Sequence, residues 1–233
     1  MGIVLLFMRV GLLESGFYDK LKESAISRGN LAMLFNNKPL FKKYLSVILM
    51  GFPGWFVNGV VMSFTPEIAK AMGMTEIPKV ATVFMVFFIG FTFGDFSCGL
   101  VSQWMKSRKK AILTYLSSFT VLLALFFIFG RSSTTAYYSL FLMIGISAGY
   151  TIVLLTLAAE QTGTNLRSTV TTSSLNLLRA SVIPQSILFT YLTAYKGAYI
   201  SAIIVGIISV SIAFWAYTNL EETFSKDLDF IEQ

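Results

Sequence analysis

The sequence predicts an all-α membrane protein: six transmembrane helices arranged as two three-helix inverted repeats. Three observations carry this. Apolar residues come in long uninterrupted blocks, charges are sparse, and the basic residues fall on one side of the blocks. The 233 residues are 55% hydrophobic and 13% charged, with 22 Phe and no His, and the mean hydropathy is +0.71. A soluble domain carries about 25% charged residues. The composition therefore argues against a soluble enzyme, a disordered chain and a zinc-binding module. With no His and one cysteine, Cys98, the chain has almost no soft-metal ligands and no partner for an intramolecular disulfide.

The six predicted spans are 44–66, 80–104, 111–129, 136–158, 170–195 and 198–217. Each approaches the ~20 residues that cross a bilayer. Ahead of them, GIVLLFMRVGLL (2–13) is apolar but reaches only about 18 Å at 1.5 Å per residue, against a hydrocarbon core of about 30 Å. It lacks the basic start and small-residue cleavage site of a signal peptide. Residues 1–13 are read as the remnant of a preceding transmembrane helix. Residues 14–43 interleave Lys20, Lys22, Arg28, Lys38, Lys42 and Lys43 with Phe17, Leu21, Leu31, Leu34 and Phe35. That pattern predicts short amphipathic helices lying on the membrane surface. The transmembrane domain is 44–217, and 218–233 is an acidic tail.

Six spans place 14–43, 105–110, 159–169 and 218–233 on one side. That side carries twelve Lys and Arg: the six above, with Lys106, Arg108, Lys109, Lys110, Arg167 and Lys226. The other side carries four: Lys70, Lys79, Arg131 and Lys196. The positive-inside rule makes the basic side cytoplasmic, so both ends of the six-helix unit are cytoplasmic in a multi-pass protein of the cytoplasmic (inner) membrane. The +6 net charge thus reads as topology, not as nucleic-acid binding. The inverted repeat rests on paired glycines in spans one and four (Gly51/Gly54, Gly145/Gly149) and single charges in spans two and five (Asp95, Arg179).

Asp95 and Arg179 each lie about nine residues from the cytoplasmic end of their spans. Charges at that depth must face protein or a water-filled cavity. Three readings are open: an interhelical salt bridge, a substrate- or proton-coupling role, and snorkelling toward the interface. In the loops, Glu160 and Arg167 bracket a Gly-containing turn across from the basic run Lys106–Lys110. Charges of opposite sign there can form a network on one face of the bundle.

These residues carry a resemblance. Gly94-Asp95, then Gly99 and the basic turn Lys106–Lys110, resemble the loop signature between the second and third spans of a major facilitator superfamily half. AEQTGTNLR (159–167) resembles that family's Glu-then-Arg motif between the fourth and fifth spans, and LEETFSKDLDF its exit after the last span. Segment 14–43 is similar to the loop joining the two halves. The signature departs where the family has Asp-Arg and Gly-Arg: Gln103-Trp104 and Lys106-Ser107 stand there.

The resemblance implies the C-terminal half of a twelve-helix fold, with the N-terminal half as its missing partner. It implies secondary transport of a small polar or anionic solute by alternating access, in lipid, with no cofactor. Proton coupling follows from the lack of any nucleotide-binding motif, with Asp95 and Glu160 the candidate acids. By the same resemblance, spans one and four line the cavity. Trp55, Asn58, Ser147, Tyr150 and Thr151 are the solute candidates, with Asn176 weaker. Lys106, Arg108, Lys109, Glu160 and Arg167 form a cytoplasmic gate. Pro184 is expected to kink span five. A membrane enzyme is disfavoured by the absence of His and of clustered acids. The remaining alternative is a truncated or partner-dependent membrane subunit with no transport of its own.

Overall fold

Every regular element of the computed structural model, which describes residues 31–225, is helical. Segment 2–13, residues 14–30 of the polar stretch and the end of the tail, 226–233, lie outside the described residues. A short helix, Leu31–Asn36 (α1), precedes Lys38–Met50 (α2). Asn37 starts α2: its Oδ1 accepts the Leu40 N–H at 3.2 Å, and Pro39 sits in the first turn, where a backbone N–H is not needed. Span one therefore begins at 38 rather than 44, and Lys38, Lys42 and Lys43 ride on its first turns.

Span one is not a uniform helix. Pro53 has no N–H for the Leu49 carbonyl, so the chain breaks at Gly51 and restarts as Phe52–Phe56 (α3). A π-helical segment, Val57–Met62, follows, and Ser63 Oγ donates to the Asn58 carbonyl five residues back at 3.2 Å. Thr65–Ala71 (α4) turns the chain toward Val80–Trp104 (α5) and Arg108–Phe129 (α6). In the turn between these two, Lys106 has φ of 47°, the left-handed region that favours glycine. This is the position where the resembled signature carries Gly.

Span four is Thr134–Ala148 (α7) and Tyr150–Glu160 (α8), interrupted at Gly149. It crosses α5 with backbones almost touching. A Cβ at Gly90 would strike the Leu142 carbonyl, one at Gly94 the Ile146 carbonyl, and one at Gly149 the backbone of Gly94. Small residues permit such an approach between membrane helices.

Arg167–Ala180 (α9), Val182–Lys196 (α10) and Ala198–Thr218 (α11) complete the bundle. Five helical segments among the described residues are long and apolar enough to cross a membrane: 38–62, 80–104, 108–132, 134–160 and 198–218. The predicted fifth span, 170–195, is instead two helices of 14 and 15 residues, each reaching only about 22 Å. Pro184 is the cause, since its ring excludes the Ala180 carbonyl that a continuous helix would place there. Gln185 stabilises the break: its Nε2 donates to Ser181 Oγ at 3.1 Å, and its Oε1 accepts from Ser209 Oγ of α11 at 3.1 Å.

The buried apolar residues fall into two clusters, one toward each end of the bundle. One gathers Phe56, Phe119, Phe126, Tyr137 and Phe141, and the other Met50, Ile112, Leu116, Tyr150 and Leu154. The seam between them runs at mid-span, at the level of Gly51 and Gly149. All three interrupted spans break near this seam.

Candidate functional site

At that seam lies a cavity of about 250 Å³, bounded by α3 and the π segment, α5, the α7–α8 break and α9. Gly54, Trp55, Asn58, Asp95, Thr151 and Arg179 line it, with Phe87, Phe88 and Phe91 supplying an aromatic wall. Pro53 and the π turn place Trp55 and Asn58 on the cavity side of span one. π segments recur at functional sites because the extra residue re-aims side chains. A Cβ added at Gly54 would meet open space, so that glycine widens the chamber and is not a packing contact.

Five of the seven intramembrane candidates thus meet at one chamber. Ser147 and Tyr150 do not. Ser147 is buried, and its hydroxyl donates to the Ile144 carbonyl at 2.9 Å. Tyr150 is wholly buried, and its hydroxyl donates across to the Met50 carbonyl at 3.0 Å. That bond satisfies a carbonyl left free by the Pro53 break, so Tyr150 holds span four to span one. Asn176 is exposed and stands apart from the lining.

Asp95 and Arg179 share the cavity but form no ion pair with each other, so the salt-bridge reading of the sequence does not hold. Asp95 Oδ1 is buried without a hydrogen-bond partner. Nor is snorkelling available to Asp95: nine residues from Trp104 is about 14 Å along the helix, far beyond a short carboxylate. The Trp55 indole, the Asn58 amide and the Arg179 guanidinium have no hydrogen-bonded partner among the described residues either. The chamber therefore presents a guanidinium and two neutral polar groups without protein partners, and a carboxylate that accepts the Ile152 backbone N–H at the start of α8 while its Oδ1 stays unpartnered.

The second constellation sits at the basic end. Arg108 grips Glu160, with NH2 3.0 Å from Oε1 and Nε 3.3 Å from Oε2. Both side chains are only 14% exposed. Arg108 also donates to Ser102 Oγ at 3.1 Å and lies over the Phe224 ring at 5.3 Å. Arg167 Nε donates to the Ala159 carbonyl at 3.0 Å, closing the turn that follows α8. Lys109 donates to the Leu220 carbonyl and lies over the Tyr217 ring at 4.7 Å. Lys106 is exposed and joins none of these contacts.

The sequence reading left out the tail, which is the centre of this network. Residues 220–225 fold back across the bundle end. Thr223 Oγ1 donates to Glu160 Oε2 at 2.6 Å, Gln161 Nε2 to the Glu221 carbonyl at 2.9 Å, and Lys43 pairs with Glu221 at 3.1 Å. Glu222 reaches the start of α6, accepting from Ser107 Oγ and from the backbone N–H groups of Arg108, Lys109, Thr223 and Phe224. Burial works to raise the pKa of Glu222. The bonds from Ser107, Phe224, Arg108 and Thr223 outweigh it and hold the carboxyl below its usual range. The signal for this was present in the sequence: an acidic run just after the last span, facing a helix N-terminus rich in Lys and Arg.

Membrane-length helices, broken by glycine and proline around a polar chamber at mid-depth, define a transport protein. The family model of the Major Facilitator Superfamily matches residues 1–184, and the chain belongs to that superfamily of membrane transporters. No curated protein matches the chain.

Proposed function

We propose that this chain is the C-terminal half of a secondary active transporter that moves a small polar or anionic solute by alternating access, coupled to protons, in a cytoplasmic membrane. One observation carries the reading: Trp55, Asn58, Asp95, Thr151 and Arg179 converge on one mid-span chamber, where Asp95 Oδ1 is buried without a hydrogen-bond partner. Asp95 is the acid placed to take a coupling proton, since Glu160 is held by Arg108 and Thr223.

In this reading a second six-helix unit, in the same or another chain, supplies the opposite wall. Its support is the uncovered face carrying Phe93, Phe96 and Trp104 of α5 and Ile183, Ile187, Tyr191 and Tyr195 of α10, with Arg179 beside them. The basic end is cytoplasmic in this reading, supported by the twelve-to-four distribution of Lys and Arg. There Arg108, Lys109, Glu160, Arg167 and the tail close the inner gate when the chamber opens outward. A partner-dependent subunit without transport of its own is the second reading, favoured by the same uncovered face.

Single-cysteine labelling in a Cys98→Ala background tests both orientation and cavity. A cysteine at Lys106, which is exposed, reacts with an impermeant reagent only from the cytoplasmic side. A cysteine at Asn58 reacts with small reagents and is protected by a bound solute. Labelling of position 106 from outside intact cells overturns the topology. An Asn58 position closed to every reagent in every condition overturns the chamber as a solute route.

A further inference from the structure

The chamber holds charges of both signs, and neither has a charged partner. Asp95 on α5 and Arg179 on α9 line the same 250 Å³ space, and no nitrogen of one approaches an oxygen of the other closely enough to pair. Asp95 accepts the Ile152 backbone N–H, but its Oδ1 is buried without a hydrogen bond, and Arg179, exposed at the edge of the space, has no acceptor among the described residues. Among the described residues no third charged residue lines the space, and the remaining walls are apolar, aromatic or neutral polar.

A solute entering such a space displaces water from both charged groups, and a charge left unmatched is then costly. A neutral solute leaves both charges unmatched. A monoanion matches Arg179 and places its own charge near Asp95. A monocation does the reverse. Only a solute carrying both signs, spaced apart, satisfies both groups at once. Resting on the transport reading above, we infer that the chamber is selective for small zwitterionic solutes, the cationic group held by Asp95 and the anionic group by Arg179. Trp55 and Asn58 lie beside the two charges, one able to stack against a cationic group and the other to hydrogen-bond the solute's polar body.

The test uses Trp55 as its own reporter. In the full chain in lipid nanodiscs, Trp104→Phe and Trp215→Phe remove the two indoles outside the chamber. Titration follows Trp55 emission with alanine and γ-aminobutyrate as zwitterions, propionate as the anion, ethylammonium as the cation and propionamide as the neutral analogue. One zwitterion should bind at least about tenfold tighter than each of the other three classes, the usual cost of one unmatched charged hydrogen bond. Arg179→Gln should narrow the preference over ethylammonium to within about threefold, and Asp95→Asn the preference over propionate, by the same arithmetic. The Asp95→Asn/Arg179→Gln pair should favour propionamide, and since it leaves no unmatched charge it also guards against misfolding of either single variant.

Tighter binding of propionate, ethylammonium or propionamide than of both zwitterions overturns this inference while leaving the solute chamber standing. Silence of Trp55 toward every class, in a chain that remains monodisperse, overturns the inference and the chamber together.

Discussion

Glu222 Oε1 accepts the backbone N–H of Arg108 at 2.9 Å, so a residue beyond the last helix caps the first turn of α6. The Ser107 hydroxyl donates to the same carboxylate while its oxygen accepts the Lys110 N–H at 3.1 Å. Two side chains therefore share the free donors of one helix start, and the negative charge also faces the positive end of the helix dipole. The tail is fixed to the loop between spans two and three, and through Thr223 to Glu160 after span four.

Removing that cap should loosen the tail without unfolding the bundle. Glu222→Ala is expected to cost about 1 kcal/mol, as loss of an N-cap does, and to make 219–233 markedly more sensitive to protease. The pH dependence has a fixed sign. The folded pKa lies below the usual value of 4.5, so the carboxylate stabilises the docked tail fully above about pH 4.5. That stabilisation is lost as the pH falls through the lowered value. Limited proteolysis between pH 7 and pH 3 should show the tail released only at the acid end. In Glu222→Gln the same transition should be absent.

The Arg108–Glu160 pair is largely enclosed, which separates it from ordinary surface pairs. A double-mutant cycle with Arg108→Gln and Glu160→Gln should give a coupling of about 1–3 kcal/mol in thermal unfolding in detergent. Exposed pairs give about 0–1 kcal/mol. Arg108→Lys should recover little, because a lysine cannot serve Glu160, Ser102 and the Phe224 ring together. A coupling under about 0.5 kcal/mol would reduce the pair to a surface contact.

Glycines of two kinds should respond oppositely to the same substitution. Gly149→Ala drives a methyl into the Gly94 backbone, where no side chain can yield, and should cost about 3 kcal/mol or prevent folding. Gly54→Ala meets open space and should be neutral or stabilising by up to about 1 kcal/mol. Gly54→Leu should fold and fill the chamber, abolishing solute protection of a cysteine at Asn58. Measured melting temperatures of the three variants decide the matter.

Lys106 occupies a left-handed conformation without a partner to reward it. Lys106→Gly should stabilise the turn by about 0.5–1 kcal/mol, since relief of the Cβ penalty outweighs the added freedom of the unfolded chain. A loss of stability would mean that the lysine side chain contributes something its exposed position does not suggest.

Much of this protein was legible in its sequence because lipid simplifies the problem. A helix in hydrocarbon must satisfy its own backbone, so apolar runs translate directly into helices: 80–104 is α5 to the residue, and Trp55 and Asn58 share a face by spacing alone. Charges in apolar blocks singled out Asp95 and Arg179 for the same reason, as the basic loop and the Glu160–Arg167 turn marked the membership in the superfamily. What the sequence did not determine depends on neighbours. Asp95 and Arg179 lie at similar depth and line one chamber yet do not pair, which their positions in the sequence could not tell. Tyr150 is a bridge to Met50 because the Pro53 break exposes a carbonyl there. Glu222 was only an acidic residue in a tail until the fold set it against the start of a helix more than a hundred positions earlier in the chain. Periodicity and hydropathy are local properties and were read directly, whereas the mid-span chamber and the tail's cap are made by segments distant in sequence, and only packing brings those together.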